Sequence, residues 1–190
     1  MLSRIQKLIA KQEVLLNDLE KYKQESQELI AERHAAEEAR IILQLAAKKT
    51  QEQLEVHFSD LVTKAFKAVL RNPYNFSSKF IERRNKTECD LRFERDGVYY
   101  KPKFTTGGGV IDLASFALRI AYWRLEKTAP VIILDEPMKM VSKNLIPKIA
   151  ELVKLLSVEF EIQFLIITHI PELAETADAL FVIENGKLAN

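Results

Sequence analysis

Residues 131–137 read VIILDEP, an apolar run that ends in two carboxylates and a proline. Residues 163–169 read QFLIITH, a second apolar run with a polar end. Runs without a polar face are typical of strands buried between helices in a parallel sheet. We therefore predict two parallel strands covered on both faces. Their carboxyl ends would bring Asp135, Glu136 and His169 to the edge where open α/β sheets bind ligands.

The segments around these strands predict an α/β order of elements. Residues 73–104 alternate polar and apolar residues, and Asp96-Gly97 is a two-residue hairpin signal, so we expect a small antiparallel β-element there. The other expected elements are a helix from the glycines to about Leu125, a helix from about Ser142 to Leu156, a short helix in PELAETAD and a strand in LFVIENG.

The first 70 residues have a different composition from the rest. They contain neither proline nor glycine, and apolar residues recur every seven positions. The members of this heptad stripe are Leu8, Leu15, Tyr22, Leu29, Ala36 and Leu43. We predict a coiled-coil arm helix over residues 1–72 and a globular portion over 73–190. A helix pair broken at an unseen turn is the alternative.

The overall composition restricts the class of protein. A formal net charge of +1 over 190 residues gives no large positive field, and the one cysteine, Cys89, cannot form a disulfide within the chain. No apolar run approaches the roughly 20 residues that a membrane span requires. We expect a cytoplasmic protein with no membrane association.

Three glycines, Gly107, Gly108 and Gly109, directly precede an apolar-periodic helix. Amides at a helix N-terminus and the positive end of the helix dipole favour an anion, and glycine lets it approach the main chain. Together with Thr106, they are candidate phosphate ligands. The alternative is a turn needed only to enter the helix.

The strand-end carboxylates have their own chemistry. Adjacent carboxylates are costly to desolvate unless a cation meets them. Mg²⁺ with a bound phosphate would be such a partner, with Asp135 holding the metal through water and Glu136 acting as base toward an attacking water.

The segments GGGVIDLASFALRIA, VIILDEP and IITHIPELAETAD, in this order, resemble the C-terminal half of the head domain of ABC-type ATPases. The resemblance is to the SMC-like DNA-repair branch that includes SbcC. It implies the C-terminal lobe of an ATPase head with a small antiparallel β-element, preceded by a long coiled-coil helix. It also implies a phage or bacterial protein of DNA repair, recombination or replication.

The resemblance assigns roles to the candidate residues. Asp135 would hold Mg²⁺ through water, Glu136 would activate the attacking water, and His169 would contact the γ-phosphate of ATP. The signature residues Thr106, Gly107 and Gly108, with Gly109 at the usual Gln or Glu position, would bind the ATP of an opposite head. Paired heads, DNA and an SbcD-type nuclease are the implied partners.

The chain departs from the family pattern at several positions. Thr105 stands for the family's leucine and Thr106 for its serine. The segment after Glu136 lacks the aspartate that usually marks the loop coupling the two heads; Ser142 stands about there and would contact nucleotide. The phosphate loop G-x-x-x-x-G-K-[ST] is absent from the sequence. We therefore expect ATPase activity only when an N-terminal half supplies that loop.

Two other functions remain open from the residues. The chain could be a non-catalytic coiled-coil scaffold with a degenerate ATPase fold, or a stand-alone metal-dependent phosphohydrolase that uses Asp135 and Glu136. A basic group could also contact the DNA backbone. Its members are Lys79, Arg83, Arg84 and Lys86.

Overall fold

The computed structural model describes residues 2–84, 86–102, 106–126 and 128–189. The chain divides into two units, residues 1–50 and 51–190. Helix α1 (Leu2–Val69) supplies every described residue of the first unit and continues into the second. All side chains of residues 2–50 are exposed, including the apolar members of the heptad stripe. A long N-terminal helix is thus confirmed, and its exposed heptad stripe stays a predicted coiled-coil surface for a partner helix.

In the second unit, a three-stranded antiparallel sheet follows α1. Strands β1 (Asn75–Arg83), β2 (Lys86–Arg95) and β3 (Val98–Tyr100) are hydrogen-bonded in that order. Asp96 and Gly97 join β2 to β3 with φ of 54° and 75°. Positive φ at both central residues is the geometry of a type I′ hairpin turn, so the predicted hairpin is confirmed.

Aromatic residues form the core between α1 and this sheet. Phe66 of α1 is fully buried and packs edge-on against Phe93 and Tyr74, with ring centroids 5.4 and 6.3 Å apart. Phe76 and Tyr100 contact the same group of rings. Such tilted pairs add packing energy to that of buried apolar area, and they hold the base of α1 on the sheet.

One edge of β1 pairs with β2, and the other edge is covered by polar side chains of α1. Side-chain oxygens of Glu55, Ser59 and Thr63 accept hydrogen bonds from the amides of residues 80, 78 and 76, over distances between 2.5 and 3.2 Å. Four helical residues rise about 6 Å and two strand residues about 6.7 Å, so the two spacings match. Edge amides that would otherwise need water are thereby paired within the chain.

The second sheet is a parallel pair. Strands β4 (Val131–Asp135) and β5 (Gln163–Ile167) pair from Val131↔Gln163 to Asp135↔Ile167. Helices α2 (Gly108–Glu126) and α3 (Ile146–Phe160) supply buried residues to the core on one side of this pair. The parallel strands and the helix to about Leu125 match the sequence-based expectation.

Two expectations about this region are wrong. The strands are covered on one face only: Ile133 is 62% exposed and Leu165 is 50% exposed. We call the exposed side the outer face, which consists of Val131, Ile133, Leu165 and Ile167, with Gln163 beside Val131 at one end and Asp135 beside Ile167 at the other. The expected two-sided burial fails because the described helices pack on the opposite side, against Ile132, Leu134, Phe164 and Ile166.

The second wrong expectation is the start of the next helix: the helix expected from about Ser142 to Leu156 is present but begins later. A short 3₁₀ turn (Lys143–Leu145) comes first, and α3 begins at Ile146 with Pro147 in its first turn. Proline is accommodated there because the first amides of a helix lack intrahelical partners.

The last segment forms a separate hairpin after the short helix α4 (Pro171–Ala174). Strands β6 (Val182–Glu184) and β7 (Lys187–Ala189) are antiparallel to each other and do not extend the parallel pair. The turn is Asn185-Gly186, with φ of 49° and 74°. None of the helices in the described ranges has the length and apolarity to cross a lipid bilayer.

Candidate functional site

The carboxyl ends of β4 and β5 bring the predicted acidic residues and the histidine to one edge. Asp135 is the last residue of β4 and is exposed. The amide of Glu136 donates a 2.8 Å hydrogen bond to the carbonyl of Ile167, so the parallel pairing continues one residue beyond β4. Glu136 then takes a φ of 45°, which turns the chain out of the sheet.

Glu136 and His169 are in direct contact. Nδ1 of His169 lies 2.6 Å from Oε2 of Glu136, and the pair carries opposite charges only when the imidazole is protonated. Oε2 is buried from solvent, yet no donor among the described residues is oriented to form a hydrogen bond with it. The His169 side chain is 70% exposed and that of Glu136 34%. A buried carboxylate oxygen thus faces an accessible imidazole and lacks an aligned donor.

The turn after β5 places His169. The side-chain oxygen of Thr168 accepts a 3.1 Å hydrogen bond from the amide of Ile170. Pro171 then begins α4. A threonine that bonds the backbone two residues later is a common means of closing a turn, and here it directs His169 toward Glu136.

The glycine turn lies at the start of α2, as predicted, but its glycines differ in their surroundings. A Cβ added to Gly107 would meet no atom of the described residues within 4 Å. A Cβ on Gly108 would lie 2.8 Å from Cβ of Met140, and one on Gly109 would lie 3.0 Å from the carbonyl oxygen of Met140 and from Cα of Val141. Two of the three glycines therefore pack so closely on this loop that a side chain at either position would force Met140 or Val141 to shift.

The other residues of this turn are placed in part. The hydroxyl of Thr106 donates a 2.9 Å hydrogen bond to the carbonyl of Pro102. Thr105 lies outside the described residues. No hydrogen bond or ion pair among the described residues joins Thr106 or the glycines to Glu136 or His169. The predicted residues thus form two groups, one at the start of α2 and one at the strand ends.

The loop from Glu136 to Ser142 connects the two groups. Met138, at a φ of 63°, buries its side chain in the core, and its carbonyl accepts the amide of Val141 at 3.0 Å. Ser142 is exposed, and its side chain makes no capping hydrogen bond to the 3₁₀ turn that follows.

The residue that holds this loop to α2 was missed by the sequence reasoning. Oδ2 of Asp112 accepts a 2.7 Å hydrogen bond from the amide of Met140. Asp112 and Glu126 are the two carboxylates of α2, and Asp112 stands near the N-terminus of an otherwise apolar stretch. This isolated carboxylate in an apolar stretch was the sequence signal that could have identified Asp112 as a structural contact.

The residues at the strand ends fit a magnesium ion bound together with a phosphate. Mg²⁺ keeps several waters and is bound by one or two carboxylates plus substrate oxygens. Asp135 is accessible for such a contact, and the Glu136 side chain next to it is 34% exposed. In the described part of the chain, no three His, Cys, Asp or Glu side chains gather around a point. The arrangement therefore fits a water-mediated ion and not an all-protein cage.

Cys89 is separate from this site. Partial burial raises the pKa of its thiol, and it stands exposed on β2. A thiol with a raised pKa is a poor nucleophile at neutral pH. The interpretation of Cys89 as an ordinary thiol agrees with this setting.

The fold is similar to solved structures of SMC head domains. A structure from work on ATP-driven dimerization and DNA-stimulated activation of SMC ATPases matches with a TM-score of 0.56 and 18% identity, over 75% of this chain and 86% of that one. An SMC head bound to the C-winged helix domain of ScpA matches with a TM-score of 0.55 and 21% identity, over 74% of this chain and 42% of that one.

The SMC head domain from Thermotoga maritima matches with a TM-score of 0.50 and 22% identity, over 72% of this chain and 45% of that one. This chain therefore spans less than half the length of two of these three structures. No family model and no curated protein sequence matches it. The chain therefore has the fold of part of an SMC head domain, with a long helix that precedes an α/β lobe and a small antiparallel sheet.

Proposed function

We propose that this chain is the C-terminal half of an SbcC-like ATPase head, with residues 1–72 as its coiled-coil arm and 73–190 as the half-head. An N-terminal half that carries a phosphate loop completes the head. Two completed heads bind ATP between them and hydrolyse it, and this cycle controls DNA binding or processing in repair, recombination or replication. The cytoplasm is the proposed location.

The contact between Glu136 and His169 carries this proposal. It lies at the carboxyl edge of a parallel pair, where α/β proteins bind ligands. A buried carboxylate oxygen without an aligned donor is costly, so such a group is kept where it has a task. A protein that used this fold only as a scaffold would have no need of it.

The geometry supports a role for Glu136 as general base. The Glu136 side chain is 34% exposed beside His169, so its carboxylate can accept a hydrogen bond from a water and then its proton. His169, beside it and exposed, can donate from its ring to a phosphate oxygen. Asp135 would hold Mg²⁺ through water, and the ion when bound would neutralise phosphate charge.

The glycine turn is proposed to bind the ATP of the opposite head. The first amides of α2 lack intrahelical partners by helix geometry, and their dipole favours an anion. Gly107 is exposed, with open space where a side chain would be. Gly108 and Gly109 keep the adjacent main chain close to the loop that follows Glu136. Thr106 would turn its hydroxyl from Pro102 toward the phosphate.

The outer face supports completion by a second half. Parallel strands are almost always covered on both sides, because their faces are apolar throughout. Here four apolar residues of the outer face are exposed, and Asp135 lies at its end. A half-head docked on this face would cover it and would bring a phosphate loop close to Asp135.

DNA and an SbcD-type nuclease are the proposed partners of the completed assembly. The basic group on the first hairpin is exposed, but Arg83 already forms ion pairs with Glu88 and Asp90. These two partners raise the pKa of its guanidinium. Lys79, Arg84 and Lys86 are therefore the better candidates for phosphate contacts.

ATP turnover by a reconstituted assembly tests the proposal. The chain would be co-expressed with a segment that carries G-x-x-x-x-G-K-[ST] from the same genome, and phosphate release would be measured. We expect turnover from the assembly and none from the chain alone. Glu136→Gln should reduce turnover at least a hundredfold, since it removes a general base, while ATP-dependent pairing of heads persists.

Each other result has a definite meaning. Turnover by the chain alone would support the stand-alone phosphohydrolase. An assembly that forms but neither binds nor hydrolyses ATP would support the scaffold. An assembly in which Glu136→Gln is as active as the unmodified chain would refute the role of Glu136 as base.

A further inference from the structure

One hydrogen bond that the proposed function does not use joins Asp112 to the amide of Met140. Hydrogen bonds with one charged partner are shorter and about twice as strong as neutral ones. The 2.7 Å distance is typical of that class, and Asp112 forms no ion pair among the described residues. The carboxylate is therefore available to hold this backbone amide.

The loop that Asp112 holds needs external support. Glu136 and Met138 both have positive φ, which costs free energy for residues other than glycine. Such conformations persist only when their surroundings impose them. The loop has anchors at the amide of Glu136 in the sheet, at the buried side chain of Met138, and at the amide of Met140 on Asp112.

The anchors differ in what they connect. The bond from Glu136 to Ile167 and the burial of Met138 hold the loop to the sheet and the core. Asp112 instead belongs to the first turns of α2, five positions after Gly107. The close packing of Met140 on Gly108 and Gly109 lets the main chain of the loop reach this carboxylate.

We propose that Asp112 is a positioning residue that fixes the loop after Glu136 to the start of α2. The inference rests on the proposed function for its consequence: Glu136, which serves one ATP, and the Thr106-Gly107 turn, which serves the other, then move as one body. Asp112 touches neither nucleotide in this scheme. It acts through the amide of Met140.

Hydrogen exchange of the chain by itself tests the contact. Asp112→Ala should speed exchange at residues 138–142 about tenfold, because the amide of Met140 loses its acceptor. Asp112→Asn keeps an acceptor oxygen and should retain most of the protection. Asp178→Ala is the matched control, since it removes an exposed carboxylate paired with Lys154 at 3.4 Å and should change nothing at this loop. Unchanged exchange in Asp112→Ala would overturn the proposal.

Steady-state kinetics of the reconstituted assembly tests the consequence. Asp112→Ala should lower kcat about tenfold, with KM for ATP and ATP-dependent pairing little changed, and Asp112→Asn should restore most of kcat. Losses of kcat, affinity and pairing in proportion to lost thermal stability would indicate a merely structural residue and overturn the proposal. Unchanged kcat with faster exchange would also overturn it. If the unmodified assembly has no ATPase activity, the proposed function fails, whereas the exchange result still decides whether Asp112 holds the loop.

Discussion

The two larger sheets of the second unit differ in how much of their edges and apolar faces this chain covers. In the antiparallel sheet, α1 covers the edge of β1 with side-chain acceptors and packs Phe66 into the aromatic core. In the parallel pair, the outer face is bare, with Ile133 and Leu165 at least half exposed. In the antiparallel sheet, the side that faces α1 is closed within the chain, whereas the parallel pair leaves a whole apolar face open. The difference indicates where we expect another polypeptide to bind.

The two types of sheet also differ in which faces they usually leave in contact with water. An antiparallel sheet can keep one face in water, and two parallel strands with a bare apolar face are the less usual arrangement. Contiguous exposed apolar surface on a protein marks an interaction site more often than scattered apolar residues do. The outer face is contiguous because every second residue of β4 and its paired residue of β5 lie side by side on the same side of the sheet.

Charging the outer face should have the largest effect. We expect the double change Ile133→Glu and Leu165→Glu to weaken binding of the N-terminal half at least a hundredfold, because two carboxylates would be buried without partners. Isothermal titration calorimetry with the separately purified half measures this affinity. The circular dichroism of the chain alone should not change.

A matched control is available on α3. Val158 is exposed and apolar but lies outside the parallel pair, so Val158→Glu should leave the affinity unchanged. Equal losses for both variants would mean that the outer face is not the docking surface. No loss from the double change would contradict the comparison between the two sheets.

A smaller effect is expected where the antiparallel sheet is completed from within. Thr63→Val keeps the shape of the side chain but leaves the amide of Phe76 without its acceptor, and we expect a loss of about 2 kcal/mol in the free energy of unfolding. Urea titration of the chain measures it. Thr63→Ser, which keeps the oxygen, should lose less than half as much. Equal losses in the two variants would show that the hydrogen bond is not the stabilising feature.

The smallest effect is expected in the turn before α2, where Gly109 packs on the following loop and Gly107 does not. Gly109→Ala gains helix propensity but places a Cβ 3.0 Å from backbone atoms of Met140 and Val141, and the net loss of stability should be about 1 kcal/mol. Gly107→Ala meets open space and should be neutral or stabilising by up to about 1 kcal/mol. Thermal unfolding of both variants measures whether each change stabilises or destabilises the protein.

The Gly107→Ala variant also tests the proposed contact with the ATP of an opposite head. Gly107→Ala should reduce ATP-dependent pairing of completed heads, since its Cβ would stand where a phosphate approaches. Light scattering with and without ATP measures the pairing. Normal pairing by this variant would remove Gly107 from the proposed phosphate site.

Much of the fold was predictable because its signals are local. The hairpin at Asp96-Gly97 follows from turn chemistry, and the strands β4 and β5 follow from apolar runs that end in polar residues. The contact between Glu136 and His169 was predictable in outline, since neighbouring parallel strands end at one edge. The hairpin at Asn185-Gly186 had an equally clear signal that the reading of a single strand overlooked.

The remaining features depend on contacts between distant segments. The packing of Met140 on Gly108 and Gly109, and its bond to Asp112, join positions about 30 residues apart with no shared local pattern. One-sided burial of β4 and β5 was also invisible, because a run of apolar residues looks the same whether one or both faces are covered. The sequence likewise does not predict that the spacing of Glu55, Ser59 and Thr63 matches the amides of β1.

By itself, the amino-acid sequence determined the long helix, the turn types, the two apolar strands and the residues at their ends, because each depends on the chemistry of neighbouring residues. Only the tertiary structure decided which glycines serve packing, which carboxylate holds the loop after Glu136, and which sheet face remains open. Those outcomes depend on the distances at which separate elements meet, and a one-dimensional pattern does not contain those distances.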